Sequence, residues 1–76
     1  MKAFVLCKLV PGLEQEALRS IRDIEGVTEV YLVFGGWDAV LQVEADTMDK
    51  LSGMIVSKIR LIKGVSGSET LVTASF

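Results

Sequence analysis

The residues best suited to chemistry lie in one short stretch, Val33-Phe34-Gly35-Gly36-Trp37-Asp38-Ala39. Two adjacent glycines reach positive φ and let another molecule approach the backbone closely. Bare amides in such a turn cradle an anionic group such as a carboxylate. Trp37, the only tryptophan, offers a flat apolar wall, and Asp38 offers a fixed acceptor for an ammonium or an amide. Together Gly35, Gly36, Trp37 and Asp38 are complementary to a zwitterion, of which an amino acid is the simplest. The same residues also suit a plain Gly-Gly hairpin whose aspartate hydrogen-bonds its own turn.

A second candidate is Gly64-Val65-Ser66-Gly67-Ser68-Glu69-Thr70, a small-residue loop entering the last strand. The hydroxyls of Ser68 and Thr70 suit a polar ligand; they equally serve as ordinary turn and strand residues. Catalysis has little to stand on. There is no histidine, so neither a Ser-His nor a Cys-His pair can form. Asp46 and Asp49 resemble a helix start more than an acid/base pair. Asp38, Glu44 or Tyr31 would need a bound cofactor to act. No phosphate loop or dinucleotide fingerprint is present, and none is expected to bind. With no histidine and Cys7 as the only cysteine, a structural zinc site and an internal disulfide are both excluded.

The elements that must position these residues follow from periodicity. Ala3 to Val10 is apolar on both faces, which predicts a strand covered on both sides. Pro11-Gly12 ends it. Leu13, Ala17, Ile21 and Ile24 form one helical stripe, with Glu14 and Glu16 in the first turn, where the dipole favours acids. Thr28 to Phe34 and Ala39 to Ala45 read as an antiparallel hairpin broken by the two glycines. Asp46 is expected to cap a second helix whose buried stripe is Met48, Leu51, Ile55, Ile59 and Ile62. Ser68 to Phe76 alternates as a last strand. A repeat ties the halves together: Ile21-Arg22-Asp23-Ile24-Glu25-Gly26-Val27 returns 38 residues later as Ile59-Arg60-Leu61-Ile62-Lys63-Gly64-Val65. Each copy holds a helix C-terminus, a glycine stop and the start of a strand.

The order is β-α-β-β-α-β. With right-handed crossovers and both helices on one face, this is an α+β, ferredoxin-like sandwich built on a four-stranded antiparallel sheet. Residues 1–76 make a single domain. A core this small leaves folding close to balance, and half of the residues are apolar, more than one small core needs. A second chain is therefore expected over the open sheet face. The net charge of −2 is dispersed, with no basic footprint for nucleic acid and no basic amphipathic helix for a membrane surface. No apolar run approaches the ~20 residues that span a bilayer, and residues 1–10 read as a strand rather than a signal peptide. A cytoplasmic location is expected.

The glycine-aromatic-aspartate turn, the Gly64-Val65 pair and the following Ser68-Glu69-Thr70 together resemble the effector-binding (RAM) domain of the Lrp/AsnC transcription regulators. The resemblance covers essentially the whole chain. It implies dimerisation through the sheets and assembly of dimers into rings of eight or ten. It also implies amino-acid effectors bound between dimers at the glycine-aspartate turn. Gly35, Gly36, Trp37 and Asp38 carry the first motif, Ser68 and Thr70 the second. Full-length members place a helix-turn-helix domain ahead of this module. Here the first strand begins at Ala3, so the expectation is a stand-alone sensor that makes no direct contact with nucleic acid and mixes with full-length relatives. Two other readings share the topology. One is a small dimeric αβ-barrel enzyme of the monooxygenase or isomerase type, which calls for a polar pocket between helices and sheet. The other is an ACT-type regulatory domain.

Overall fold

The two copies of the repeat fold into the same turn. In the computed structural model, which describes residues 1–74, the Ile24 amide donates to the Ile21 carbonyl (3.1 Å) and the Val27 amide to the Ile24 carbonyl (3.2 Å). In the second copy Ile62 donates to Ile59 (3.2 Å) and Val65 to Ile62 (3.1 Å). Gly26 and Gly64 both lie at φ +102°, the left-handed conformation that stops a helix without a Cβ clash. Packing tightens the requirement at Gly64. A Cβ there would meet the Ala17 side chain at 3.0 Å and the Leu13 carbonyl at 3.1 Å.

These turns join β1 (Lys2–Leu9), α1 (Glu14–Arg22), β2 (Val27–Leu32), β3 (Ala39–Glu44), α2 (Met48–Met54) and β4 (Val65–Val72). The sheet order is β2-β3-β1-β4, with every neighbouring pair antiparallel. The β-α-β-β-α-β sandwich read from the sequence is the observed fold. Directly paired residues share a sheet face, so Val5 opposite Leu41 and Cys7 opposite Ala39 bury one side of the sheet. Ala17, Leu18 and Ile21 of α1 pack there with Leu51, Ile55 and Ile59. The other face carries Phe4, Leu6 and Val40, half-buried, flanked by the half-exposed Tyr31 and Leu71.

Several boundaries differ from the sequence reading. Thr47, not Asp46, caps α2: its hydroxyl accepts from the Lys50 amide at 3.2 Å. Asp46 instead makes an exposed ion pair with Lys50 at 3.7 Å. Met48 is half-exposed rather than part of the buried stripe, and Leu61 is exposed. Met54, off that stripe, packs against the core. After Met54 the second helix widens into a π-helical turn, Ile55–Ile59, in which the Arg60 amide donates to the Ile55 carbonyl at 2.9 Å. β4 begins at Val65, because Gly67 and Ser68 pair along β1 and Ser66 sits in a bulge beside them, its hydroxyl donating to the Lys8 carbonyl, rather than forming a loop. The sequence reading ran this strand through Ser75 and Phe76, which lie outside the described residues.

Cys7 is fully buried among these side chains, and burial pushes its thiol up from 9.0 to about 11. The folded chain thus holds a proton that the unfolded chain releases near pH 9. The corresponding stability is complete below that pH and is lost as pH rises through about 11. A thiol reagent at about pH 8 is expected to leave the native protein unmodified and to label it fully in denaturant. Cys7→Ala should remove the alkaline loss seen in melts across that range.

Candidate functional site

The connection from β2 to β3 spans Val33 to Asp38, six residues rather than the four, Gly35 to Asp38, that the sequence bounds leave. It is closed at its base by the Val33 amide donating to the Asp38 carbonyl at 3.0 Å. Asp38 is anchored twice to β1. Its amide donates to the Cys7 carbonyl (2.9 Å), and its Oδ2 accepts from the Leu9 amide (2.8 Å). The aspartate therefore braces the end of β1 rather than its own turn. Its second oxygen has no protein donor among the described residues. Beyond it, Gly35 lies at φ +133°, and open space surrounds both Gly35 and Gly36 where a Cβ would stand. The amides of Phe34, Gly35, Gly36 and Trp37 have no protein acceptor among the described residues. The turn thus presents one fixed carboxylate oxygen beside a row of bare donors.

Asp38 stands at the edge of a cleft of about 510 Å³ between this connection and α1. Leu9, Pro11, Leu18, Leu32, Val33 and Phe34 supply its apolar walls. Glu14 supplies a second carboxylate, with one oxygen held by the Gly12 amide at 2.7 Å. No Lys or Arg lines this cleft. Trp37 is half-buried and does not line it; the aromatic wall is Phe34, which is fully exposed in the monomer. Phe34 was visible in the sequence beside the glycines. Glu14 was legible only as a helix-dipole residue, and nothing in the sequence ties it to Asp38.

Ser68, half-buried, and Thr70, exposed, are not at this turn. They face the helix layer, opposite Cys7 and Val5, and line a separate groove of about 410 Å³ between α2 and β4 with Ser52 and Arg60. β2 and β4 are the two edges of the sheet. Ser68 is separated from Ala39, the neighbour of Asp38, by β1, a span of roughly 10 Å at two strand spacings. One chain therefore does not converge the two sequence motifs on one ligand.

The interior offers no third site. No polar or charged residue is buried among the described residues, and the polar groups between helices and sheet line the open α2–β4 groove. Among the described residues no group of three or more potential metal ligands gathers, and no helix is long and apolar enough to cross a membrane.

Known proteins share this sequence and this fold. An uncharacterised HTH-type transcriptional regulator of Pyrococcus furiosus is 40% identical over 74 residues, covering 93% of this chain and 49% of that protein. A counterpart in Pyrococcus horikoshii is 39% identical, with the same coverage. The chain thus spans about half the length of the curated relatives it matches. Among solved structures, FFRP-DM1 superposes with a TM-score of 0.91 at 30% identity, covering 96% of this chain and 97% of that one. AsnC of E. coli shares the fold at a TM-score of 0.91 and 24% identity, covering 99% of this chain and 51% of that one. So does the transcriptional regulator NMB0573 of Neisseria meningitidis, solved as an L-Met complex, with a TM-score of 0.90, 17% identity and coverage of 97% and 49%. The model of the Lrp/AsnC ligand binding domain matches residues 2–75, and the chain belongs to that family.

Proposed function

We propose that this protein is an oligomeric, amino-acid-binding regulatory module, with its effector seated at the Gly35–Asp38 turn where dimers meet. The observation that carries the reading is the turn itself: a carboxylate fixed by the Leu9 amide, beside bare amides and an apolar cleft. Asp38 takes the effector's ammonium, the amides from Gly35 to Trp37 take its carboxylate, and the cleft takes an apolar side chain. The L-Met complex of the Neisseria regulator supports an amino acid as the ligand class on this fold. In this reading two sheets pack face to face through Phe4, Leu6, Val40 and Leu71, and the dimers gather into rings of eight or ten. A neighbouring dimer then closes each cleft over Trp37 and Phe34 and brings its own Ser68 and Thr70 to the ligand. The module senses, and contact with DNA belongs to helix-turn-helix portions of the family's regulators, with which it associates in the cytoplasm.

The test is a thermal-shift screen of the twenty amino acids. Binding to the folded state raises the melting temperature by mass action, so at least one amino acid at millimolar concentration should raise it by several degrees. Asp38→Asn is the informative variant. Its amide oxygen still accepts from Leu9, so the fold persists, but the charge facing the ammonium is gone. The shift should vanish in Asp38→Asn while the ligand-free melting temperature stays close to wild type. No shift with any amino acid would remove the proposal.

A further inference from the structure

The two edges of the molecule are opposite in charge. On the β2 side, the cleft at the turn holds Glu14 and Asp38 and no Lys or Arg. On the β4 side, the groove between α2 and β4 holds Arg60 and no Asp or Glu. β2 and β4 are the two outer strands of the sheet, so the acidic surface and the basic one lie at opposite sides of the chain. Neither charge is used within it. Asp46–Lys50 is the one ion pair among the described residues, and Glu14 and Arg60 are both exposed.

Shape follows charge. Phe34 stands fully exposed in the β2–β3 connection, on the wall of the acidic cleft. The basic groove is a hollow of about 410 Å³ with an apolar rim: Met48, Val56 and Val72 line it, and each stays partly exposed. A hollow in the size range of small-molecule sites admits one aromatic ring. A projecting aromatic beside acids at one edge and an apolar hollow beside a cation at the other cannot meet within one chain. They meet between chains that are set head to tail, the arrangement that closes into rings.

We infer that these edges join copies of this chain head to tail, with Glu14 paired to Arg60 of the partner subunit and Phe34 packed against the rim of the partner's groove. The inference rests on the proposed assembly at the turn and adds to it the charges that choose the partner. Asp38 keeps its free oxygen for the effector. Charges across such a boundary select partners and register more than they add affinity. A chain with the wrong sign at either position is rejected by like charges. Face-to-face pairing makes the contact twice at each boundary between dimers, so a contact too weak to join single chains holds dimers together.

Charge reversal, read by native mass spectrometry on the full chain, tests this. Wild type should exceed a dimer. Glu14→Arg alone and Arg60→Glu alone should each stop at the dimer, with further assembly displaced to at least about tenfold higher protein concentration. Mixed one to one, the two variants should assemble again, because alternation sets opposite charges at every boundary. The double variant, Glu14→Arg with Arg60→Glu, should assemble by itself and should not mix with wild type. Both positions are exposed, so the variants should fold, and recovery of assembly on mixing verifies that they do. Single variants that assemble like wild type, a mixture that stays dimeric, or a double variant that mixes freely with wild type would overturn the contact. A wild type no larger than a dimer would overturn it as well. An assembly that obeys the charge rule while no amino acid shifts the melting temperature would remove the effector reading and leave the contact standing.

Discussion

Replacing Leu41 by alanine is expected to remove about 3–4 kcal/mol of stability and to lower the urea midpoint by about 3 M. Leu41 is fully buried at the centre of β3, paired with Val5 on one side and Val30 on the other. It meets the helix layer where both halves of the chain converge, and it is among the largest fully buried side chains. Truncation there loses the transfer free energy of three carbons and leaves a cavity between two rigid layers. A chain of this length has roughly 4–11 kcal/mol in all, so this one change removes about a third of the total or more. Leu61→Ala is the matched control. Leu61 is 76% exposed, and its loss should move the midpoint by less than about 0.5 M. Equal effects from the two substitutions would mean that the core is not where the structure puts it.

The second large effect is expected on assembly. Leu6→Glu should convert the proposed multimer into a folded monomer of 8.3 kDa, read by light scattering or native mass spectrometry. Leu6 pairs with Val40 across β1 and β3, at the middle of the open face, and is half-buried even in the single chain. In the proposed face-to-face dimer its carboxylate would be buried without a partner. An uncompensated buried charge costs about 3–5 kcal/mol, and two-fold symmetry places two such charges near each other. The core beneath is untouched, since Leu6 points away from Val5, Cys7 and the helices. An unchanged mass would place the interface elsewhere, for instance edge to edge along β4.

Much of this was legible in the sequence. The repeated Ile-Arg-x-Ile-x-Gly-Val marks a hydrogen-bonded turn that recurs at both helix ends, because an apolar anchor at Ile21 or Ile59 and a left-handed glycine five residues on admit one local solution. β1, apolar on both faces, read as a strand covered on both sides; the fold buries Ala3, Val5, Cys7 and Leu9 beneath the helices and leaves Phe4 and Leu6 half-buried on the open face. What was hidden depends on pairing. Asp46 and Thr47 are both competent caps; the chain uses Thr47 because the strand is held one residue further, where the Ala45 amide donates to the Met1 carbonyl at 3.0 Å. Ser66, Gly67 and Ser68 have loop composition, yet β1 offers Gly67 and Ser68 a ladder and leaves Ser66 in a bulge. The π-helical turn follows from no periodicity, since Leu51, Ile55 and Ile59 keep ordinary helical spacing. The site was half legible. Gly35, Gly36 and Asp38 stand together as their spacing suggested. Ser68 and Thr70 were grouped with them by motif alone, and only the strand order β2-β3-β1-β4 separates them into another groove.

The central claim is that an amino acid binds at the turn. It is tested most directly by crystallising the protein with the amino acid that gives the largest thermal shift. The account predicts a ligand at the boundary between dimers. Its ammonium should lie about 2.7–3.2 Å from the free oxygen of Asp38, its carboxylate should face the amides from Gly35 to Trp37, and its side chain should lie against Phe34 and Leu18. A ligand enclosed between the helices and the sheet of one protomer, or one bound away from Asp38, would contradict it.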